Sequence, residues 1–204
     1  MEIYLTRHGQ SVGNLRKLLQ GQTEFDLTEL GISQAQKLGF KLKGTEFDSV
    51  YCSDLKRCRQ TASEIQSYLN LEPIVDRRLR ERNFGDLEGE PHGSLDTFAQ
   101  AQGVPFREMV PPNGESSLQV MQRCRDFLDD LLQKHLHKEH RVLIVSHSGW
   151  ISEFFKVLSE VLSDTSLLNQ RCSNTGLFHL VLKGEPQTMQ LQIKLSNDTL
   201  HLFE

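Results

Sequence analysis

Long apolar runs are missing from this 204-residue chain. No stretch is long enough to cross a bilayer, so no membrane role is expected. The N-terminus has no basic segment leading into an apolar core. A secretory signal is therefore not expected, and a cytoplasmic location is. Cysteine is sparse: Cys52, Cys58, Cys124 and Cys172 stand far apart, with no Cys-x-x-Cys pair. That spacing argues for reduced thiols in a cytosolic protein and against a zinc site. Positive charge is not in excess. Lys and Arg number 23 against 27 Asp and Glu, a net charge of -4. With no basic tail, general nucleic-acid affinity is not expected. Internal repeats and low-complexity tracts are absent as well.

What remains is ordinary globular material: 37% hydrophobic and 25% charged residues, enough chain to bury a full core. One domain over 1–204, with a lid-like insertion at about 88–116, is the expected organisation. Met1 to Leu5 reads as a first strand and Phe47 to Cys52 as a second, with Val50 and Cys52 on one face. Pro73 to Val75 is a short third strand. Arg141 to Ser146 is a continuous apolar run suited to a central parallel strand buried on both faces. Leu177 to Leu182, Met189 to Leu195 and Leu200 to Phe203 read as closing strands. Helical spacing runs from near Thr28 to Lys43, from Leu55 to Leu69, from Ser117 to about His137 and from Trp150 to Leu162, with a weak patch at Leu95 to Ala101. Strands alternating with helices predict a three-layer α/β/α sandwich with a mostly parallel central sheet.

Chemistry-bearing residues collect at strand ends. Thr6-Arg7-His8-Gly9 follows the first strand and His147-Ser148-Gly149 follows the central one. In open α/β sheets, ligands gather beyond the carboxyl ends of strands. Ser53 ends the second strand and puts Arg57 one turn into the next helix. Glu81 lies in the loop after the third. The expected site holds two arginines, two histidines and a glutamate. There is no carboxylate pair for magnesium, no His-x-x-x-His for zinc and no Gly-rich Walker loop, so no metal and no cofactor are expected. Such a set suits phosphoryl transfer in which cations surround the equatorial oxygens. Arg7, Arg57 and a charged His147 would form the cage, helped by Asn14. His8 would be the nucleophile, with its other ring nitrogen donating to a backbone carbonyl. Glu81 would protonate the leaving alkoxide and then deprotonate water, its pKa raised by burial against the pull of nearby arginines. Each residue also has a plainer reading. His147 alone is more often a satisfied core histidine, Arg57 a helix-surface arginine and Thr61-Ala62 helix interior. Arg77 and Arg78 read as solvated, although the cluster from Arg77 to Arg82 also suits a second phosphate on a substrate.

Taken together, Arg7-His8-Gly9 with Asn14, Ser53-Asp54-Leu55 with Arg57 and Gln60-Thr61-Ala62, Leu79 with Glu81 and Phe84-Gly85, Pro112 with Gly114-Glu115-Ser116, and Val145-Ser146-His147 resemble the histidine phosphatase superfamily of phosphoglycerate-mutase-like fold. Leu19-Gln20-Gly21-Gln22, Arg78-Leu79-Arg80-Glu81-Arg82, Pro111-Pro112 and Asn174-Thr175-Gly176 look closest to its TIGAR-type fructose-2,6-bisphosphatases. The resemblance implies that His8 is phosphorylated, that Glu81 is the proton donor and that Arg7, Arg57 and His147 cage the phosphate. It implies that Asn14, Gln20, Gly21, Arg82, Phe84, Ser148 and Gly149 line the pocket. There are departures. Gln10-Ser11 replaces Glu-Thr, Phe84 lacks a tyrosine hydroxyl, and Ser148 replaces a glycine, which would strain it if φ there were positive.

The expected activity is hydrolysis of a small phosphorylated metabolite, fructose 2,6-bisphosphate first. The rivals are a phosphoglycerate mutase or broad-specificity phosphatase of the same fold, and a non-catalytic phospho-ligand-binding protein. The sequence leaves the oligomeric state open.

Overall fold

The computed structural model describes residues 1–136, 138–184 and 188–203. Six strands form one sheet: β1 (Glu2–Arg7), β2 (Ser49–Cys52), β3 (Ile74–Val75), β4 (Arg141–Ser146), β5 (Leu177–Lys183) and β6 (Gln190–Asp198). Their order is β3-β2-β4-β1-β5-β6. The first four run parallel, and β5 and β6 are antiparallel additions. Helices α1 (Val12–Leu15), α2 (Glu29–Leu42), α3 (Lys56–Leu69), α4 (Gly93–Gln102), α5 (Ser117–His135) and α6 (Ser148–Leu162) complete the fold. The expected mixed α/β sandwich is what forms.

Alternation along β4 explains the layers. Val142 and Ile144 join Ile3, Leu5, Phe178 and Leu180 in a core with α5 and α6, built on Phe127, Leu128, Trp150 and Phe154. Leu143 and Val145 face the other way, onto Leu38, Leu42, Ala62 and Ile65 of α2 and α3, with Val50 and Cys52 beside them. Successive side chains of a strand point to opposite faces, so a strand covered on both sides reads as unbroken apolar sequence. Trp150 anchors the first layer. It stacks on Phe154 at 4.9 Å between centroids, meets Phe127 edge-on at 5.9 Å and donates its indole N–H to the Arg78 carbonyl at 2.6 Å.

Helix starts follow their caps. The Thr28 hydroxyl accepts from the Gly31 N–H and opens α2, and Ser116 with Gln119 closes a reciprocal capping box on α5. Gly31, which obscures the start of α2 in the sequence, is required by packing. A Cβ there would collide with the Gln10 carbonyl.

One expectation of secondary structure needs correction. Leu200 to Phe203 is not a strand. Residues Leu200–Leu202 form a 3-10 turn, because the Asp198 carboxylate accepts the Leu200 N–H at 3.0 Å and turns the chain off the sheet edge. The one-turn helix α1 adds to the predicted helices, and Ser11 caps it. Helix α5 ends at His135, and the expected end at His137 lies outside the described residues. The segment 88–116 carries α4 and packs through a separate small cluster of Leu95 and Met109 on Leu19, flanked by Phe84, Leu87 and Phe98. Among the described residues, no helix is long and apolar enough to cross a membrane.

Candidate active site

The parallel pairing of β1 and β4 sets Arg7 opposite Ser146, so the residues that follow them come side by side. The rings of His8 and His147 lie 5.2 Å apart, near edge-on. A cavity of about 290 Å³ opens above them. Arg7, His8, Asn14, Gln20, Gly21, Arg57, Glu81, Phe84, Ser148 and Gly149 all line it. His147 sits directly behind His8 and is fully buried.

His8 Nδ1 lies 2.7 Å from the Gly9 carbonyl oxygen. A carbonyl only accepts, so Nδ1 carries the proton and Nε2 keeps its lone pair. Burial pushes the His8 pKa well below the usual histidine value, and Arg57 and Arg7 push it the same way. The ring is therefore neutral at neutral pH. The loop that holds it is pinned from α3. The Gly9 N–H donates to Thr61 Oγ1 at 3.0 Å, and that hydroxyl donates to the Arg57 carbonyl at 2.7 Å. Thr61 is thus more than helix interior. The Gln10-Ser11 pair also supports the loop: Gln10 Oε1 accepts from the Thr28 hydroxyl at 2.9 Å, and Ser11 Oγ donates to Gln20 Oε1 at 2.5 Å.

Arg57 is 1% exposed despite its flanking charges, which overturns the surface reading. Its Nη1 donates to the Thr23 carbonyl at 3.0 Å and its Nη2 to the Gly21 carbonyl at 2.7 Å. Arg7 Nη1 donates to the Cys172 carbonyl at 3.0 Å. The Nε atoms of both arginines are buried with no hydrogen-bond partner among the described residues. Buried donors ordinarily find acceptors, so two charged, unsatisfied edges beside His8 suit an anion.

Glu81 is anchored on the start of α6. Its Oε2 accepts from the Gly149 N–H at 3.0 Å, and its Oε1 from Trp150 at 3.2 Å and Arg82 at 2.9 Å. Such a close approach demands glycine at 149, where a Cβ would strike Glu81 Oε1. Ser148 is unstrained, because it occupies the first turn of α6 and has no positive φ.

The surroundings of His147 weigh on its charge. Burial, then Arg57, His8 and Arg7, drive its pKa well below the usual value, which favours the neutral ring. Its Nε2 lies 3.0 Å from Ser53 Oγ and 3.3 Å from Cys58 Sγ. A dianion among these groups would pull the balance back toward the imidazolium.

Arg82 does not line the cavity. Its Nε donates to the Glu115 carbonyl at 2.8 Å and its Nη2 to that of Met109 at 2.7 Å, with Phe84 and Phe106 against its guanidinium. It clamps the 105–117 stretch instead. The rest of the cluster is equally committed. Arg78 pairs with Asp76 and Asp130, and Arg80 with Asp54. Arg78 is therefore paired rather than solvated, while Arg77 is 83% exposed at its side chain. Sequence reading missed Leu18, Leu19 and His92 on the cavity wall. It also left Asn174 without a role, although its Nδ2 donates to the His8 carbonyl at 2.9 Å. The one signal for Asn174 was its place in a motif. Among the described residues, no group of three or more His, Cys, Asp or Glu could hold a metal ion.

Known proteins resemble the chain in sequence and in fold. The chain is 32% identical to a candidate phosphoserine phosphatase of Hydrogenobacter thermophilus over 95% of both. It is 38% identical to the fructose-2,6-bisphosphatase TIGAR of Xenopus tropicalis over 72% of this chain, a match spanning 57% of that relative's length. It is 33% identical to a 2,3-bisphosphoglycerate-dependent phosphoglycerate mutase of Methylorubrum extorquens over 80% of this chain and 81% of the mutase. The solved mycobacterial glucosyl-3-phosphoglycerate phosphatase superposes with a TM-score of 0.82 at 26% identity, over 96% of this chain and 98% of that one. The pattern of the histidine phosphatase superfamily (branch 1) matches residues 3–194, and the chain belongs to that family.

Proposed function

We propose that the protein hydrolyses a small phosphomonoester without a metal, through a phosphohistidine on His8. The observation that carries this is the fixed tautomer. The Gly9 carbonyl accepts the hydrogen bond from Nδ1–H and leaves the Nε2 lone pair for attack, beside two buried guanidinium edges. In the first step the Nε2–P bond forms and the P–O ester bond breaks. Arg7 and Arg57 hold the equatorial oxygens, and Glu81 in its acid form gives its proton to the leaving alkoxide. In the second step Glu81 takes a proton from water as the oxygen attacks phosphorus. The Nε2–P bond breaks, and inorganic phosphate and neutral His8 are returned. Three backbone N–H groups hold Glu81 for both transfers. Positioned acid–base help of this kind is worth on the order of 10²–10⁴ in rate.

Fructose 2,6-bisphosphate is the substrate we place first, on the likeness to TIGAR proteins. A mutase reading has its own support in the likeness to the Methylorubrum enzyme. A mutase must return the phosphoryl group to substrate rather than to water. The test is phosphate release from sugar bisphosphates, phosphoglycerates and phosphoserine, with acid-quenched ³²P labelling of the protein. Labelling and turnover lost in His8→Ala support the reading, and turnover that survives the substitution refutes it. Efficient 2- to 3-phosphoglycerate interconversion primed by 2,3-bisphosphoglycerate selects the mutase.

A further inference from the structure

Behind the nucleophile, we infer that Cys58 is a positioning residue: through Ser53 it holds the proton of His147 on Nε2 and leaves Nδ1 to take a proton when a phosphoryl dianion arrives. This rests on the phosphatase reading above. Cys58 belongs to α3, is fully buried and is absent from the cavity wall. Burial pushes its pKa well above the usual thiol value, so the sulfur keeps a proton to give.

The direction of the protons is set where the chain of groups ends. Cys58 Sγ lies 3.3 Å from the Ser146 carbonyl oxygen. A carbonyl only accepts, so the S–H points there. The same oxygen takes the His8 N–H at 3.0 Å, which fills its two lone pairs. The sulfur then faces its other neighbours with lone pairs alone. It lies 3.3 Å from His147 Nε2 and 3.9 Å from Nδ1. A sulfur in line with an Nε2–H bond would stand much farther from Nδ1 than from Nε2, so Cys58 sits beside the ring. The hydrogen-bond partner of Nε2 is Ser53 Oγ, at 3.0 Å. The Ser53 hydroxyl bonds the sulfur in the sense that favours a thiolate, as a donor does. Its oxygen accepts the Leu55 N–H at 3.3 Å, and its second lone pair accepts Nε2–H. Protons therefore point from His147 to Ser53, from Ser53 to Cys58 and from Cys58 to the Ser146 carbonyl. His8 and His147 take opposite tautomers: Nδ1–H on His8, held by the Gly9 carbonyl, and Nε2–H on His147.

The relay accepts Nε2–H from the neutral ring and from the imidazolium alike. Charging His147 then needs one proton on Nδ1 and no turn of a hydroxyl. Without the sulfur, the Ser53 proton loses its acceptor and turns to Nε2. The neutral ring then carries its proton on Nδ1, and an imidazolium meets a hydroxyl facing the wrong way.

The experiment is two-bond ¹H–¹⁵N NMR of the full chain with ¹⁵N-labelled histidine, which reports the proton on each ring nitrogen. The native protein is expected to show His147 protonated at Nε2 and His8 at Nδ1, the signals being assigned with His147→Gln and His8→Gln. A native His147 with its proton on Nδ1 overturns the inference before any Cys58 variant is made. Cys58→Ala is expected to move that proton to Nδ1. Cys58→Ser, whose hydroxyl replaces both sulfur bonds, is expected to return it to Nε2, a rescue that a mere space-filling role would not give. With inorganic phosphate bound, the pH midpoint of His147 is expected about one unit lower in Cys58→Ala, because the imidazolium is held less well. kcat/KM should fall about tenfold, the size of one hydrogen bond to a charged group, and recover in Cys58→Ser. A Cys58→Ala protein with the native tautomer and midpoint overturns the inference and leaves the phosphohistidine reading standing. Turnover that persists in His8→Ala overturns that reading instead.

Discussion

Thr61→Val tests whether one hydroxyl couples the nucleophile loop to the arginine helix. Valine keeps the shape of threonine but removes its Oγ1. The Gly9 N–H then loses an acceptor at 3.0 Å in a buried setting, and the Arg57 carbonyl loses a donor at 2.7 Å. An unsatisfied buried donor costs about 1–3 kcal/mol, so a urea melt should show a loss of roughly 2 kcal/mol. The catalytic effect should be larger in proportion. Gly9 also presents the carbonyl that fixes the His8 tautomer, and a displacement on the order of 1 Å can cost about 10²-fold in rate. The expected result is a fall in kcat of roughly 10- to 100-fold with little change in KM. Thr61→Ser keeps both hydrogen bonds and should cost only about 1 kcal/mol of packing, with kcat close to native. Phosphate release and urea unfolding on the three proteins decide it. A Thr61→Val protein that is destabilised but turns over at the native rate refutes the coupling.

Acid should loosen the fold before ordinary carboxylate titration begins. His8 and His147 have pKa values held well below 6.5 by burial and by Arg57. The unfolded chain therefore binds more protons than the native one as pH falls below about 6.5. Stability should decline by about 1.4 kcal/mol per pH unit for each histidine, and the His8→Gln/His147→Gln double variant should flatten the slope in urea melts between pH 7 and 5. Gly149→Ala drives a methyl into Glu81 Oε1. It should lower kcat by about 10²-fold with a native circular dichroism spectrum, and unchanged kcat would show that the Glu81 anchorage is dispensable. Arg82→Ala strands the carbonyls of Met109 and Glu115. It should cost about 2 kcal/mol in a thermal or urea melt and raise KM more than it lowers kcat, because the clamp supports Phe84 rather than the reacting atoms.

Legibility in the sequence tracks how local the deciding interaction is. The unbroken run Val142 to Val145 announces a strand buried on two faces, and the histidine after it inherits a place at the sheet edge. His8 is legible for the same reason, since β1 pairs with β4 in register. The roles of Thr61, Arg57 and Arg82 depend on partners brought in by the fold. Thr61 needs Gly9, 52 residues away, Arg57 needs Gly21 and Thr23, and Arg82 needs Met109 and Glu115. No periodicity encodes such pairs, so Arg57 reads as cage or as helix surface, and Arg82 as pocket, until the chain is folded. Charge density misleads in the same way. The dense run from Arg77 to Arg82 suggests an anion site, yet most of its charge is neutralised by Asp54, Asp76 and Asp130. Arg57 gives both its Nη groups, and Arg7 its Nη1, to backbone carbonyls, and both arginines keep their Nε edges without a partner among the described residues. An anion is drawn to cationic donors that the protein itself does not satisfy. By that criterion the affinity for phosphate lies with Arg7 and Arg57, in a chain whose net charge is negative.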